Sequence, residues 1–307
     1  MTNILLYSAA VMIWGSTWFA IEFQLGVVSP QVSLVYRFGL ASVILFAWCL
    51  IRNRPLRFNP ADHLYFMGLG LFLFGLNYIF SYSAQIYIIS ALNAIVCSCM
   101  VWMNILNARV FIKTRIDART WTGAAFGITG ITIVFWPSIQ NVRLTDGIVI
   151  GIGASFMGAL LASLGNILSQ LAQRRGLPVM QSNAWGMCYG CLLNIGAAVV
   201  LGKPFLFDSS TSYLISLLYL AVFGSVVAFG CYLTLLGRIG AHRAGYAMVM
   251  FPLVALVLSA LFENMALDVY TYTGVILALI GNLIILNRNK ERVPAPTALH
   301  MAREGES

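Results

Sequence analysis

Residues 117–130 read DARTWTGAAFGITG, and residues 268–281 read DVYTYTGVILALIG. One skeleton recurs 151 residues apart: Asp117/Asp268, Thr120/Thr271, Trp121/Tyr272, Thr122/Thr273, Gly123/Gly274 and Gly130/Gly281. In a chain of 307 residues this marks one unit written twice. Whatever the first copy folds into, the second must also form, and the two must fit each other. Each copy opens on an Asp just ahead of a helical run. A carboxylate there caps free N–H groups, so Asp117 and Asp268 read as helix caps.

The solvent for both copies is lipid. Apolar residues make up 60% of the chain and charged residues 9%, against roughly 45–50% and about 25% in a soluble domain. Lipid admits only helices or closed barrels as spanning structures. The apolar runs do not alternate and are about 20 residues long, the length of a spanning helix. Ten segments can be drawn, near 3–23, 31–51, 62–84, 88–112, 119–136, 146–172, 179–201, 212–236, 242–262 and 270–288. The N-terminal run lacks a basic leader and a cleavage site, so it reads as the first span. The tail 291–307 is rich in Pro and charge without periodicity and reads as disordered.

The formal charge of +8 would hint at nucleic acid in a soluble protein; its placement argues otherwise. All of the 18 Lys and Arg except Arg37, Arg143 and Lys203 fall in the links after segments two, four, six and eight or in the C-terminal tail. That bias predicts cytoplasmic N- and C-termini in an inner (plasma) membrane. The expected fold is thus all-α: ten transmembrane helices in two five-helix repeats, 1–137 and 138–290. Five is odd, so the second repeat is inverted. Inverted repeats supply the two near-equivalent arrangements that alternating access needs.

The residues resemble the drug/metabolite transporter superfamily in its ten-helix, two-repeat form. WGSTWFAIE at Trp14–Glu22 is similar to the family's first helix, and Tyr36-Arg37-Phe38 to the start of its second. In residues 244–285, Pro252, Glu263, Gly274 and Gly281 stand where the family has Pro, Glu, Gly and Gly. The first repeat departs: Val101 and Ile112 occupy the positions equivalent to Pro252 and Glu263. The resemblance implies a central cavity lined by the third, fourth, eighth and ninth helices. It also implies export of small metabolites, with the aromatic amino-acid exporters as the nearest branch.

Segments three and four concentrate polar aromatics and amides, among them Asn77, Tyr78, Tyr82 and Trp102; Asn166 and Tyr246 add to these in the second half. Tyr78 and Tyr82 share a helical face. In lipid such groups turn inward. They either form a ligand face, with rings against an apolar side chain and amides on a carboxylate and ammonium, or hydrogen-bond between helices. Both readings stand, and Asn77, Tyr78, Tyr82, Trp102, Asn166 and Tyr246 are the candidate substrate-binding residues. Glu22, Arg37, Pro252 and Glu263 are structural or gating candidates. Arg37, well inside a span, is read first as pairing with Glu22, then as snorkelling, and last as binding a substrate carboxylate. Pro252 frees a backbone carbonyl, as a packing kink or a hinge.

No Asp or Glu lies near the middle of a segment, which disfavours proton antiport through a central carboxylate. The six cysteines lie in apolar runs without nearby His, so neither metal nor disulfide is expected. The expected function is export of amino acids, aromatic and other neutral ones first, or related metabolites, by facilitated diffusion or exchange. No cofactor is expected; the partners are the solute and the bilayer, and a monomer suffices although a homo-oligomer is compatible. The alternative is a proton-coupled exporter of drugs or other metabolites. A membrane-embedded enzyme is more remote, for want of an inward acid/base or metal cluster.

Overall fold

In lipid every backbone N–H and C=O needs a partner within the chain, and a computed structural model meets that demand with helices. It describes residues 1–24, 26–88, 90–140, 143–262 and 268–286, without a strand among them. Glu263, the tail 291–307 and the side chain of Glu22 lie outside the described residues, and with them the expected Glu22–Arg37 pair.

In chain order the helices are α1 (Asn3–Glu22), α2 (Pro30–Ile51), α3 (Pro60–Ala84), α4 (Ser90–Ser98 and Met100–Phe111) and α5 (Ala118–Val134). Then follow α6 (Asp146–Arg174), α7 (Val179–Val200), α8 (Thr211–Ile239), α9 (Ala241–Ala244 and Ala247–Phe262) and α10 (Val269–Leu286). Five of them, α2, α3, α6, α7 and α8, are individually long and apolar enough to cross a membrane. Large apolar side chains such as Ile4, Val43, Leu64, Ile215 and Leu283 are more than half exposed. Apolar surface on that scale requires lipid.

Local chemistry sets the ends. Pro30 and Pro60 occupy the first turns of α2 and α3, where the missing N–H is harmless. Asp117 accepts hydrogen bonds from the amide and hydroxyl of Thr120. Asp268 accepts the same pair from Thr271, each at 2.8 Å. Burial works against the Asp117 charge, but the Thr120 bonds and nearby Arg243 outweigh it and hold the carboxyl below its usual range. At Asp268 the amide and hydroxyl of Thr271 do the same. The C-termini of α2 and α7 turn through left-handed residues, Asn53 (φ 49°) and Gly202 (φ 61°). Each lets the next amide reach back to close the helix, Arg54 to Cys49 and Lys203 to Ala198, both at 2.8 Å.

Packing repeats with the halves exchanged. α3 packs on α6 as α8 packs on α1; α4 packs on α6 as α9 packs on α1; α7 packs on α3 as α2 packs on α8. Two contacts are self-equivalent, α2 on α7 and α5 on α10, and the second is the most extensive of all. There Gly123 faces Gly281 and Gly130 faces Gly274. A Cβ on Gly130 would sit 2.6 Å from the Gly274 carbonyl oxygen, and one on Gly281 2.6 Å from that of Gly123. The pairing 123–281 and 130–274 requires the two helices to run antiparallel. The glycines that define the sequence repeat are therefore the crossing itself.

Two further correspondences mark the same relation. Both α3 and α8 widen into π-helical turns, at Phe72–Leu76 and Leu220–Val227; adding 151 to the first gives 223–227, inside the second. At the end of the bundle that holds the N-terminus, Asp62 of α3 accepts from Arg175 beyond α6 at 2.8 Å. At the opposite end, Gln24 beyond α1 donates to the carbonyl of Tyr213 in α8 at 3.0 Å and to Ser216 Oγ. Positions 62 and 213, and 24 and 175, are each 151 apart. One junction is built twice, once ionic and once neutral.

Lipid offers no hydrophobic drive for helices to associate, so close backbone approach must hold α5 to α10. Gly130→Leu should destabilise the bundle by about 1–3 kcal/mol, the usual range for overpacking. Gly153→Leu, at a position with nothing within 4 Å, should leave it unchanged. The thermal midpoints of the two variants in detergent decide the matter; equal midpoints would remove the crossing from its structural role.

Candidate functional site

A helix in lipid satisfies its own backbone, so a polar group reaches the bundle interior only through a side chain or a widened turn. Both converge on one cavity of about 170 Å³ between the halves. It is bounded by α1, α2, α3, α4, α6, α8 and α9.

Aromatic rings form one wall. Trp14 of α1 meets Phe229 and Tyr232 of α8, ring centroids 5.0 Å apart in each case, and Phe251 of α9 at 6.1 Å. Tyr78 of α3 packs on Phe38 at 5.2 Å and lies 6.5 Å from Tyr82. Edge-to-face contacts of this kind lock ring orientation, so the wall is rigid.

Amides face it. Asn77, Gln85, Asn93 and Asn166 all line the cavity. Asn93 is engaged: its Oδ1 accepts from Ser155 Oγ at 2.6 Å. Asn166 donates to Asn104 Oδ1 at 3.4 Å. The Oδ1 atoms of Asn77 and Asn166 are buried and accept no hydrogen bond from the described residues. The hydroxyl of Tyr232 sits near the amides of Asn104 and Asn166 yet makes no well-aligned bond. An unmet buried acceptor costs about 1–3 kcal/mol.

The cation is Arg37, 4% exposed and seven residues in from Pro30 at the start of α2. Its Nε donates to Ser225 Oγ at 3.0 Å, and Ser225 in turn donates to the Leu220 carbonyl, five residues back. That longer reach belongs to the π-helical turn of α8, a distortion frequent at functional sites. The same turn offers its Gly224 carbonyl to Trp14 Nε1 at 3.1 Å. The guanidinium also lies 5.6 Å from the Tyr78 ring centroid and 5.5 Å from that of Phe38. Among the described residues no carboxylate stands within ion-pair distance of it, and none lines the cavity.

Of the residues singled out from sequence, Asn77, Tyr78, Tyr82, Asn166 and Arg37 come together at this cavity. Trp102 and Tyr246 do not. Trp102 is 37% exposed and packs on Trp121 of α5 at 5.4 Å. Tyr246 is fully buried between α5 and α10, where Gly127 and Gly281 leave room for its ring. Its hydroxyl donates to the Ala278 carbonyl at 2.8 Å. It serves as a strut for the central crossing rather than as part of the cavity wall. Pro252 is buried inside α9, beside the cavity residue Phe251. Sequence reasoning passed over Trp14, Thr17, Phe229 and Phe251 as site residues. Trp14, Thr17 and Ile21 follow the i, i+3, i+7 spacing of one helical face, the one signal that pointed there.

Comparison with known proteins agrees with the architecture. A solved crystal structure superposes with a TM-score of 0.77 over 92% of this chain and 96% of its own, at 17% identity. The protein PagO of Salmonella typhimurium is 23% identical over 92% of each chain. The inner membrane transporter YedA of Escherichia coli is 28% identical over 81% of this chain and 79% of its own. The profile of the EamA-like transporter family matches twice, at residues 1–136 and 149–287. The chain belongs to the EamA-like transporter family and is a membrane transporter of the drug/metabolite transporter superfamily.

Proposed function

We propose that the chain exports amino acids, aromatic and other neutral ones first, or closely related metabolites, across an inner membrane by alternating access. The observation that carries this reading is the cavity between the halves, where a fixed aromatic wall faces amide oxygens without donors. An apolar side chain packs on the first and an ammonium group donates to the second. Size favours a metabolite: drug-sized ligands occupy pockets of about 300–1,000 Å³, well above the 170 Å³ here. The absence of Asp and Glu among the described lining residues favours facilitated diffusion or exchange over proton antiport.

We read ten spans with both termini cytoplasmic. The Lys and Arg distribution supports this, as does the bond from Arg238, at the end of α8, to the Met1 carbonyl at 2.9 Å. Alternation then opens the two ends in turn. Asp62–Arg175 closes one end and Gln24–Tyr213/Ser216 the other, and both are made in this structure.

Purified protein in liposomes should take up labelled Phe, Trp, Met, Thr or Leu selectively and without a pH gradient. Tyr82→Ala should reduce that uptake at least about tenfold, the loss of roughly 1.4 kcal/mol of ring contact. Uptake that requires the gradient would favour the proton-coupled alternative, and movement of bulky drugs alone would sink the amino-acid reading.

The tie between Asp62 and half-exposed Arg175 is worth no more than about 1 kcal/mol. Asp62→Asn should therefore shift the balance toward the form open at that end by up to about fivefold. The readout is labelling of the cavity thiol Cys97, as the sole cysteine, by an impermeant maleimide applied from that side. Unchanged labelling would exclude the tie from gating.

A further inference from the structure

The Arg37 guanidinium is the feature of the cavity least explained by packing. A charge inside a membrane bundle is costly, and such groups ordinarily meet an opposite charge. Here the partners found are a neutral hydroxyl, Ser225, and the faces of Phe38 and Tyr78. A guanidinium carries five N–H donors in a rigid fork. The Ser225 bond takes the single donor on Nε, and among the described residues no hydrogen bond engages the terminal nitrogens. Ser225 and the π-helical turn behind it hold the fork in place. Glycine at 224 keeps space beside it: a Cβ there would lie 3.0 Å from Thr17 Cγ2 and 3.2 Å from Nη2. The second half of the chain offers no counterpart, since α7 has no basic residue.

We propose that Arg37 receives the carboxylate of the transported solute, and that the Oδ1 atoms of Asn77 and Asn166 accept from its ammonium group. This assignment rests on the amino-acid reading above and narrows it. The ligand class is a zwitterion with an apolar side chain, and the charge it must carry is the carboxylate. A carboxylate matches the planar fork in two parallel bonds. An amine lacking that group leaves the guanidinium unmet and adds a second positive charge to a cavity with no anion among its described lining residues. The site therefore selects against the decarboxylated analogue of any solute it carries. The cation sits on the first half alone, so the carboxylate has a fixed orientation in the cavity although the scaffold is duplicated.

Three ring-matched probes test this in proteoliposomes: L-phenylalanine, phenethylamine, which lacks the carboxylate, and 3-phenylpropionate, which lacks the ammonium group. Competition against labelled L-phenylalanine is read for the wild type, Arg37→Gln, Arg37→Lys and Gly224→Ala, each first checked for a monodisperse elution profile. The wild type should bind phenethylamine about 10- to 150-fold more weakly than phenylalanine, the range for loss of one charge-assisted contact. Phenylpropionate should lie between them. Arg37→Gln should erase the preference for the carboxylate, and Arg37→Lys should restore part of it. Gly224→Ala crowds Nη2 while keeping the charge, and should weaken phenylalanine and phenylpropionate but not phenethylamine. It stands in if Arg37→Gln does not fold. Phenylalanine and phenethylamine competing equally in the wild type, or an undiminished preference in Arg37→Gln, would overturn the assignment while leaving the amino-acid reading intact. A wild type that moves labelled Phe, Trp, Met, Thr and Leu not at all would overturn that reading, and the assignment with it.

Discussion

The antiparallel crossing of α5 and α10 holds the two halves together. Between helices in lipid there is no water to expel, and association rests on close packing. Glycine at 123, 130, 274 and 281 lets backbone lie on backbone over the length of the contact. The crossing is its own equivalent under exchange of the halves, as is the packing of α2 on α7, and the contacts of α1, α3, α4, α6, α8 and α9 recur in pairs around them. The tyrosine strut at 246, wedged beside Gly127 and Gly281, ties α9 and hence the second half's cavity wall to the same axis.

Around that axis the duplication is structural but not chemical. Both copies build a widened turn in their third helix, and both anchor it to the partner half's second helix. In α8 the anchor is the charged Arg37 on Ser225; in α3 it is the Asn194 amide on the Phe74 carbonyl, at 3.2 Å. The end ties differ in the same way, ionic at one end and neutral at the other. A pseudosymmetric frame gives two conformations of comparable energy, which alternation needs. Unequal side chains on that frame give the cavity a polarity and let the two ends respond differently to salt.

The lining joins two demands that conflict in a bilayer. Aromatic rings contribute apolar contact, whereas the buried Asn77 and Asn166 oxygens lack a donor and the Arg37 cation is buried beside a neutral hydroxyl. A rigid ring wall keeps these groups from collapsing onto one another. On the reading proposed above, a solute with complementary charge at one end and apolar surface at the other relieves both demands at once.

Much of this was legible in the residues. Two helix starts followed from Asp117 and Asp268, because caps are short-range. The duplication followed from a few spaced glycines and threonines, and lipid as solvent from the rarity of charge. Part of the site was legible too: Asn77, Tyr78, Tyr82 and Asn166 are polar in segments where polarity must turn inward. What pattern could not decide is which inward face meets which. Trp102 and Tyr246 carry the same signal as Tyr78 and Tyr82, yet one packs on Trp121 and the other between two helices, since direction along a bundle depends on the neighbours' rotation. Arg37 read from sequence as a partner for Glu22, whose side chain lies outside the described residues; what pattern could not foresee is Ser225, which the fold brings to it from 188 residues away. Sequence alone determined the repeat, the solvent and the local ends, all set by short-range or compositional physics. Only the tertiary structure decided the cavity, because its walls come from seven helices whose meeting is fixed by packing across both halves.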